Sequence, residues 1–255
     1  MAGTLVLLRH GVSESNERNL FTGWIDVPLA DSGRHQAARA GRLLAEFALL
    51  PDTAHTSVLT RAIQTAEATL LAAGRQWIDV RRSWRLNERH YGALQGRGKR
   101  DVVAEFGADQ FAVWRRSFDG TPPPLADDSP YSPIGDPRYA ELGPDIPRTE
   151  SLRQVLDRLL PYWQHSIRPE LAAGAIVLVT SHSNALRALI KHLDGIADED
   201  INRLNVPTGS PLVYTFDEHL RTAGPGAYLD PEAAAAGAAK VADEGGTGSP
   251  AALRR

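Results

Sequence analysis

Two histidines stand where a chain of this kind can do chemistry. His10 lies in RHGVSESN (Arg9–Asn16), directly after the apolar run Thr4–Leu8, and His182 lies in SHSNALRAL (Ser181–Leu189), after AIVLVT (Ala175–Thr180), the most apolar run of the chain. Both runs have the length of buried strands. In open α/β sheets, ligands bind in the crevice beyond the carboxyl ends of strands. A Gly after His10 permits close approach of a bulky anion. Arg9 offers a planar fork for phosphate oxygens, and Ser13 and Asn16 add neutral donors. The helix expected after His182 turns its first amides and its dipole toward an anion beside that imidazole.

Three further strings carry suitable groups. HTSVLTRAIQTA (His55–Ala66) places Arg61 near a helix start after a short strand. RLNERHYGALQG (Arg85–Gly96) holds Glu88, a proton-transfer candidate, with Arg89, Tyr91 and the nearby Lys99 able to hold a carboxylate or phosphate. WRRSFD (Trp114–Asp119) contributes Arg115 and Arg116. Each alone reads equally as a solvated charge, so their weight lies in their combination.

The elements that must position these groups alternate. Strands are expected at Thr4–Leu8, Thr53–Thr56, Trp77–Arg81, Ala175–Thr180 and Val213–Phe216. Helices are expected from Asp31 or Ser32 to about Phe47, with Ala37, Leu43, Leu44 and Phe47 on one side, and at Leu59–Ala73, Asp101–Phe106, Asp109–Phe118, Ser151–Trp163 and Asn184–Asp194. Pro161 should kink the end of its helix, and Gly195 should end the last one. The pattern predicts a three-layer α/β fold, a mostly parallel sheet with helices on both faces. Residues 1–221 read as one domain. The segment 121–147, with eight of the 17 prolines, reads as a lid or mobile excursion. Residues 222–255 read as a tail, in part a short helix, loose beyond Glu244 or serving as a cover.

Composition narrows the class. At 255 residues with 42% hydrophobic and 23% charged residues, the chain suits a globular protein with one sizeable core. A net charge of -3 gives no support to nucleic-acid or anionic-membrane binding. The absence of cysteine excludes disulfides, thiolate zinc sites and a Cys nucleophile. The opening MAGTLVLLRH has too few apolar residues for a signal sequence or membrane span, so a cytoplasmic protein is expected. The eight histidines show no metal-ligand spacing within a helix and no acidic cluster, so no metal is expected.

Taken in order, RHGVSESN, NLFTGWIDVPL, TSVLTRAIQTA, RLNERHYGALQG, WRRSFD, RALIKHLDGI and LNVPTGSPL resemble the cofactor-dependent phosphoglycerate mutases, within the histidine phosphatase superfamily. The likeness runs from about residue 4 to residue 215. It implies that His10 is phosphorylated on nitrogen, that Arg9, Arg61 and His182, assisted by Asn16, bind the transferring phosphoryl group, and that Glu88 is general acid and base. It further implies that Ser13, Thr22, Gly23, Tyr91, Lys99, Arg115, Arg116 and Asn184 bind the rest of the substrate. It implies priming by 2,3-bisphosphoglycerate, a small phosphorylated carboxylic acid as substrate, no metal, and a homodimer or homotetramer.

Those roles agree with the chemistry. Phosphoryl transfer needs positioning and stabilisation of spread negative charge, and Arg9, Arg61, Lys99, Arg115 and Arg116 supply five cations. The nucleophilic nitrogen of His10 must be unprotonated, which a nearby backbone carbonyl holding the proton on the other nitrogen would arrange. Glu88 must give a proton to a leaving oxygen and later take one from an attacking hydroxyl.

Two departures from the family pattern bear on substrate and rate. Ser183 stands where HGNSLR is usual; it costs about 1 kcal/mol or more if the backbone there needs positive φ, and adds a donor if only its N–H is needed. Ser15 stands where Trp is common. They keep open a paralogous phosphatase, or a mutase for another phosphorylated carboxylic acid. A non-catalytic phosphosugar-binding protein is the remaining alternative.

Overall fold

The computed structural model describes residues 3–244. Strand β1 (Thr4–Arg9) leads through a one-turn helix α1 (Glu14–Glu17) to helix α2 (Asp31–Glu46) and strand β2 (Thr53–Thr56). Helix α3 (Thr60–Ala72), strand β3 (Val80–Arg82), and helices α4 (Lys99–Phe106) and α5 (Ala108–Arg116) follow. Helices α6 (Leu152–Tyr162) and α7 (Arg168–Ala172), strand β4 (Ile176–Ser181) and helix α8 (Ser183–Asp194) come next. Strands β5 (Leu212–Thr215) and β6 (Ala227–Tyr228) and helix α9 (Pro231–Asp243) complete the described chain.

The sheet order is β3-β2-β4-β1-β5-β6. The first four strands are mutually parallel, and β5 runs antiparallel to both of its neighbours. Period-two alternation sorts the side chains. Leu5, Leu7, Val177 and Val179 pack with α6, α7 and α8 on one face. Val6, Leu8, Ala54 and Leu178 pack with Ala40, Leu44 and Leu70 of α2 and α3 on the other. This is the three-layer α/β architecture expected.

β1 and β4 pair in register from Thr4–Ile176 to Arg9–Ser181. They therefore end side by side, and His10 N–H donates to Ser181 O at 2.9 Å. This pairing brings together two imidazoles 172 positions apart in sequence.

Several local expectations are corrected. The strand expected at Trp77–Arg81 lies at Val80–Arg82; Trp77 is 74% exposed with the Arg75 guanidinium 4.3 Å from its ring centroid. On α2 the buried stripe is Ala37, Ala40, Gly41 and Leu44, and Phe47 is exposed. The helix cap is the backbone of Ala30, without a side-chain bond, rather than Asp31 or Ser32. At Pro161 the helix changes character as expected: α6 gives way at Trp163 to a π turn, Trp163–Ile167, that leads into α7. The carbonyl of Pro161 pairs with His165 Nδ1 at 2.7 Å.

The segment 121–147 makes contacts with the rest of the fold. Leu125 and Tyr139 are buried, Leu125 N–H donates to Arg148 O at 2.9 Å, and Asn87 Nδ2 donates to Tyr139 Oη at 3.0 Å. The expectation of a loose tail beyond Glu244 falls outside the described residues.

Candidate active site

At the joint end of β1 and β4, the His10 and His182 ring centroids lie 5.0 Å apart. His10 Nδ1 lies 2.7 Å from Gly11 O. The carbonyl can only accept, so the proton is on Nδ1 and Nε2 carries a free lone pair. Gly11 serves this arrangement through packing. A Cβ there would lie 2.2 Å from Gly33 O at the start of α2, so its missing side chain admits that backbone rather than an anion.

His182 Nε2 lies 2.7 Å from Ser57 Oγ, which itself accepts Leu59 N–H at 3.2 Å. The His182 Nδ1 is buried and has no partner among the described residues, a polar atom left over for a ligand. Both imidazoles are held well below their ordinary pKa, first by burial and then by Arg61, with Arg9 also lowering both. Both are neutral at physiological pH, as a nucleophile and a hydrogen-bond donor require.

The arginines are fixed by backbone carbonyls. Arg9 Nη1 donates to Val206 O at 2.7 Å, from the LNVPTG loop, and its Nε has no partner among the described residues. Arg61 donates to Ile25 O at 3.0 Å and Gly23 O at 2.8 Å. Gly23 has φ +56, and a Cβ there would meet Gln95 Oε1 at 2.2 Å, so this turn requires glycine.

Glu88 is buried with its Oε1 accepting Arg89 N–H at 2.8 Å and Asn184 N–H at 3.1 Å. The anion at the start of α8 is therefore the Glu88 carboxylate. Asn184 Nδ2 donates to Tyr91 Oη at 2.9 Å. Burial alone would raise the Tyr91 phenol, but the Arg89 guanidinium, 4.6 Å from the ring centroid, and Arg115 hold its pKa below the ordinary value.

A pocket opens here, with about 50 Å³ of free space. Arg9, His10, Asn16, Thr22, Gly23, Arg61, Glu88, Tyr91, Lys99, Arg115, Arg116, Ser183 and Asn184 all line it, as do Leu20, Phe21, Arg187, Val241 and Glu244. Of the expected residues Ser13, Arg89 and His182 are absent from the lining; Arg89 is fully buried, its Nη2 donating to Arg115 O at 3.0 Å. Ser13 is the N-cap of α1: Asn16 Oδ1 accepts from its N–H at 3.0 Å and its hydroxyl at 2.9 Å. That leaves the Asn16 NH₂ as the donor available to a ligand. Ser183 is the first residue of α8 and is not in the positive-φ region, so it carries no backbone strain. Ser15 is buried in α1 and does not line the pocket.

Sequence reasoning missed four contributors. Arg187 donates to Asn184 Oδ1 at 2.8 Å and to the carbonyls of Arg116 and Ile201; its place on the buried face of a helix was the available signal. Ser57 had no signal beyond its place after β2. Val241 and Glu244 come from an Ala-rich helix with no chemical motif. The Glu244 carboxylate pairs with Lys99 and Arg115, and Arg115 and Arg116 also donate to Val241 O at 3.0 and 3.2 Å.

The pocket thus holds six cations against two carboxylates. Burial, reinforced by Arg115 and Arg187, brings Arg116 down to about 8. Glu244 is pulled to about 2 by Lys99 and Arg115 against the opposing effect of its burial. Such a surplus of buried positive charge suits a ligand with several anionic groups. Among the described residues no group of three or more His, Cys, Asp or Glu could hold a metal ion. None of their helices is long and apolar enough to cross a membrane.

Known proteins resemble this chain. Bacillus stearothermophilus YhfR has the same fold, with a TM-score of 0.66 at 24% identity, covering 90% of this chain and 100% of that one. A Clavibacter sepedonicus protein is 63% identical, covering 95% of this chain and 97% of its own length. A Nocardioides protein is 59% identical, covering 96% and 100%. Both are named 2,3-bisphosphoglycerate-dependent phosphoglycerate mutase. A Candida albicans protein named phosphoglycerate mutase is 57% identical, covering 94% and 98%. Residues 5–132 and 134–223 match the family described as the Histidine phosphatase superfamily (branch 1). The chain belongs to the histidine phosphatase superfamily and, within it, to the phosphoglycerate mutases.

Proposed function

We propose that this chain interconverts 3-phosphoglycerate and 2-phosphoglycerate, primed by 2,3-bisphosphoglycerate, through a phosphohistidine at His10. The observation that carries the reading is the His10 imidazole, its Nδ1 2.7 Å from Gly11 O, lining a cation-rich pocket and facing His182 across 5.0 Å.

His10 Nε2 attacks a phosphorus of the bisphosphoglycerate, and the bond from that phosphorus to the glycerate oxygen breaks. Arg9, Arg61 and His182 hold the transferring phosphoryl oxygens, with the Asn16 amide assisting. Glu88 gives its proton to the leaving oxygen. 3-Phosphoglycerate then takes the place of the first product, and its 2-hydroxyl attacks the phosphohistidine, giving its proton to Glu88. The 2,3-bisphosphoglycerate so formed turns within the pocket, and transfer of its 3-phosphoryl group to His10, with Glu88 returning the proton to the leaving oxygen, releases 2-phosphoglycerate. Tyr91, Lys99, Arg115, Arg116, Ser183 and Asn184, with the Thr22–Gly23 turn, bind the carboxylate and the second phosphate; Ser13 acts only by orienting Asn16. Residues 1–221 form the catalytic domain, and α9 covers the site, keeping water from the phosphohistidine and holding the intermediate in while it turns.

The reaction is a glycolytic one, which places the enzyme in the cytoplasm. We further propose that it is a homodimer or homotetramer. Edge strand β3 has one side unpaired in the sheet order, with Leu71, Trp77 and Val80 exposed around it. Light scattering after size exclusion tests this, and a monomer at working concentration would refute it.

The test of function is isomerisation of 3-phosphoglycerate with and without 2,3-bisphosphoglycerate. Wild type should need the primer and acquire acid-labile label from it, and H10A should lose both. Label on H10A would remove His10 from the mechanism.

A further inference from the structure

Glu88 sits on a stretch of chain without helix or strand. Between the short 3-10 turns at Trp84–Leu86 and Gly92–Leu94, residues 87–91 have no ladder to hold them. Their carbonyls need partners, and the proton carried by Glu88 must be presented to within a fraction of an ångström.

The partners come from α6 and from Glu150, which precedes its N-cap Ser151. Arg158 Nη1 donates to Arg85 O at 2.7 Å, and Nη2 donates to Asn87 O at 3.0 Å and Glu88 O at 2.9 Å. The same guanidinium meets Glu150 through both carboxylate oxygens, at 2.7 and 3.1 Å. Glu150 closes the loop from the other side: its Oε2 accepts His90 N–H at 2.8 Å, and its own N–H donates to His90 O at 2.9 Å. Trp24 Nε1 adds a further bond to Glu88 O at 2.7 Å. Neither Arg158 nor Glu150 lines the pocket, and their side chains are only 8% and 4% exposed.

A buried ion pair is a poor device for stability alone, because hydrophobic residues of similar size often do as well. This one spends its hydrogen-bonding capacity on the backbone on either side of a single carboxylate. We propose that Arg158 and Glu150 are positioning residues: a clamp that sets the backbone at residues 85–90 and thereby aims Glu88 at the oxygen it protonates. The inference rests on the proton-transfer role given to Glu88. It names two residues that touch neither substrate nor the reacting atoms.

The experiment compares R158K, E150Q and E88Q. It reads kcat and KM for 3-phosphoglycerate, and the inhibition constant of orthovanadate as a probe of the phosphoryl site. Lysine keeps the charge but cannot span three carbonyls and a carboxylate. Glutamine at 150 keeps the size and the acceptor for His90 N–H but loses the ionic fork. R158K should lose about 10- to 100-fold in kcat, and E150Q about tenfold. In both, KM and the vanadate constant should stay within about threefold of wild type, because the phosphoryl-binding residues lie elsewhere.

Wild-type kcat in either variant, with E88Q impaired, overturns the clamp. So does a parallel loss of kcat, substrate affinity and vanadate binding, the mark of general collapse. If R158K does not fold, E150Q decides by the same criteria. Wild-type kcat in E88Q overturns the role of Glu88 instead, so the two failures are distinguishable.

Discussion

Lys99 and Glu244, 145 positions apart, form a buried ion pair at the mouth of the pocket, with the Arg115 guanidinium on the same carboxylate oxygen at 2.7 Å. A side chain from the C-terminal helix segment therefore occupies cations that a substrate anion would otherwise meet. Lys99 itself is lowered from the ordinary amine range, mainly by burial and partly by Arg115, with Glu244 opposing. Substrate and Glu244 must compete for these groups.

E244Q should tighten the binding of inorganic phosphate by up to about tenfold, which corresponds to about 1.4 kcal/mol. Titration of the apoenzyme with phosphate checks this, and unchanged or weaker binding would show that Glu244 does not compete.

Stability should fall on acidification below pH 6.5. His10 and His182 are held well below 6.5 in the fold and His90 is brought to about 4, in each case chiefly by burial. The unfolded chain takes up protons near pH 6.5 while the folded imidazoles stay neutral. Their contribution is therefore complete above 6.5 and is lost as pH falls toward the folded values. The Tm should decline between pH 6.5 and 4, and H90N, which cannot titrate, should flatten the decline.

Gly11→Ala should cost about 1–3 kcal/mol or more, because the new methyl meets backbone rather than a side chain that can turn away. Urea unfolding measures the loss. The same change should reduce His10 phosphorylation, since the Gly11 carbonyl holds the His10 tautomer.

Ser183→Gly should be nearly silent, because Ser183 serves the substrate through its backbone N–H, which glycine keeps. The position has an ordinary backbone at the start of α8, so glycine relieves no strain. Stability should change by less than about 1 kcal/mol and kcat by less than about threefold. A large gain in rate would mean that the serine hydroxyl hinders the substrate.

What could be read directly were the groups announced by local pattern. His10 and His182 each follow an apolar run with strand length, and each precedes a helix or turn, so their place at strand ends was visible without coordinates. Arg61, Glu88, Tyr91, Lys99, Arg115 and Arg116 stood in strings dense enough to identify the family. Boundaries were less legible where two forces compete. Trp77 is β-prone but stacks on Arg75 outside the sheet, and Phe47 is apolar but falls one position off the buried stripe of α2.

The remainder depended on contacts between distant parts of the chain. Arg158 and Glu150 look like ordinary helix-surface charges until the loop at 85–90 lies against them. Ser57 is one serine among many until β2 brings it to His182. Glu244 ends an Ala-rich helix with no motif, and only the packing of α9 carries its carboxylate to Lys99. Local sequence determines which atoms can donate, accept or attack and the period on which they repeat. Which of them meet depends on the parallel register of β1 and β4 and on the layers closed around it. Those non-local pairings are set by burial of the whole core, and no short window of residues encodes them.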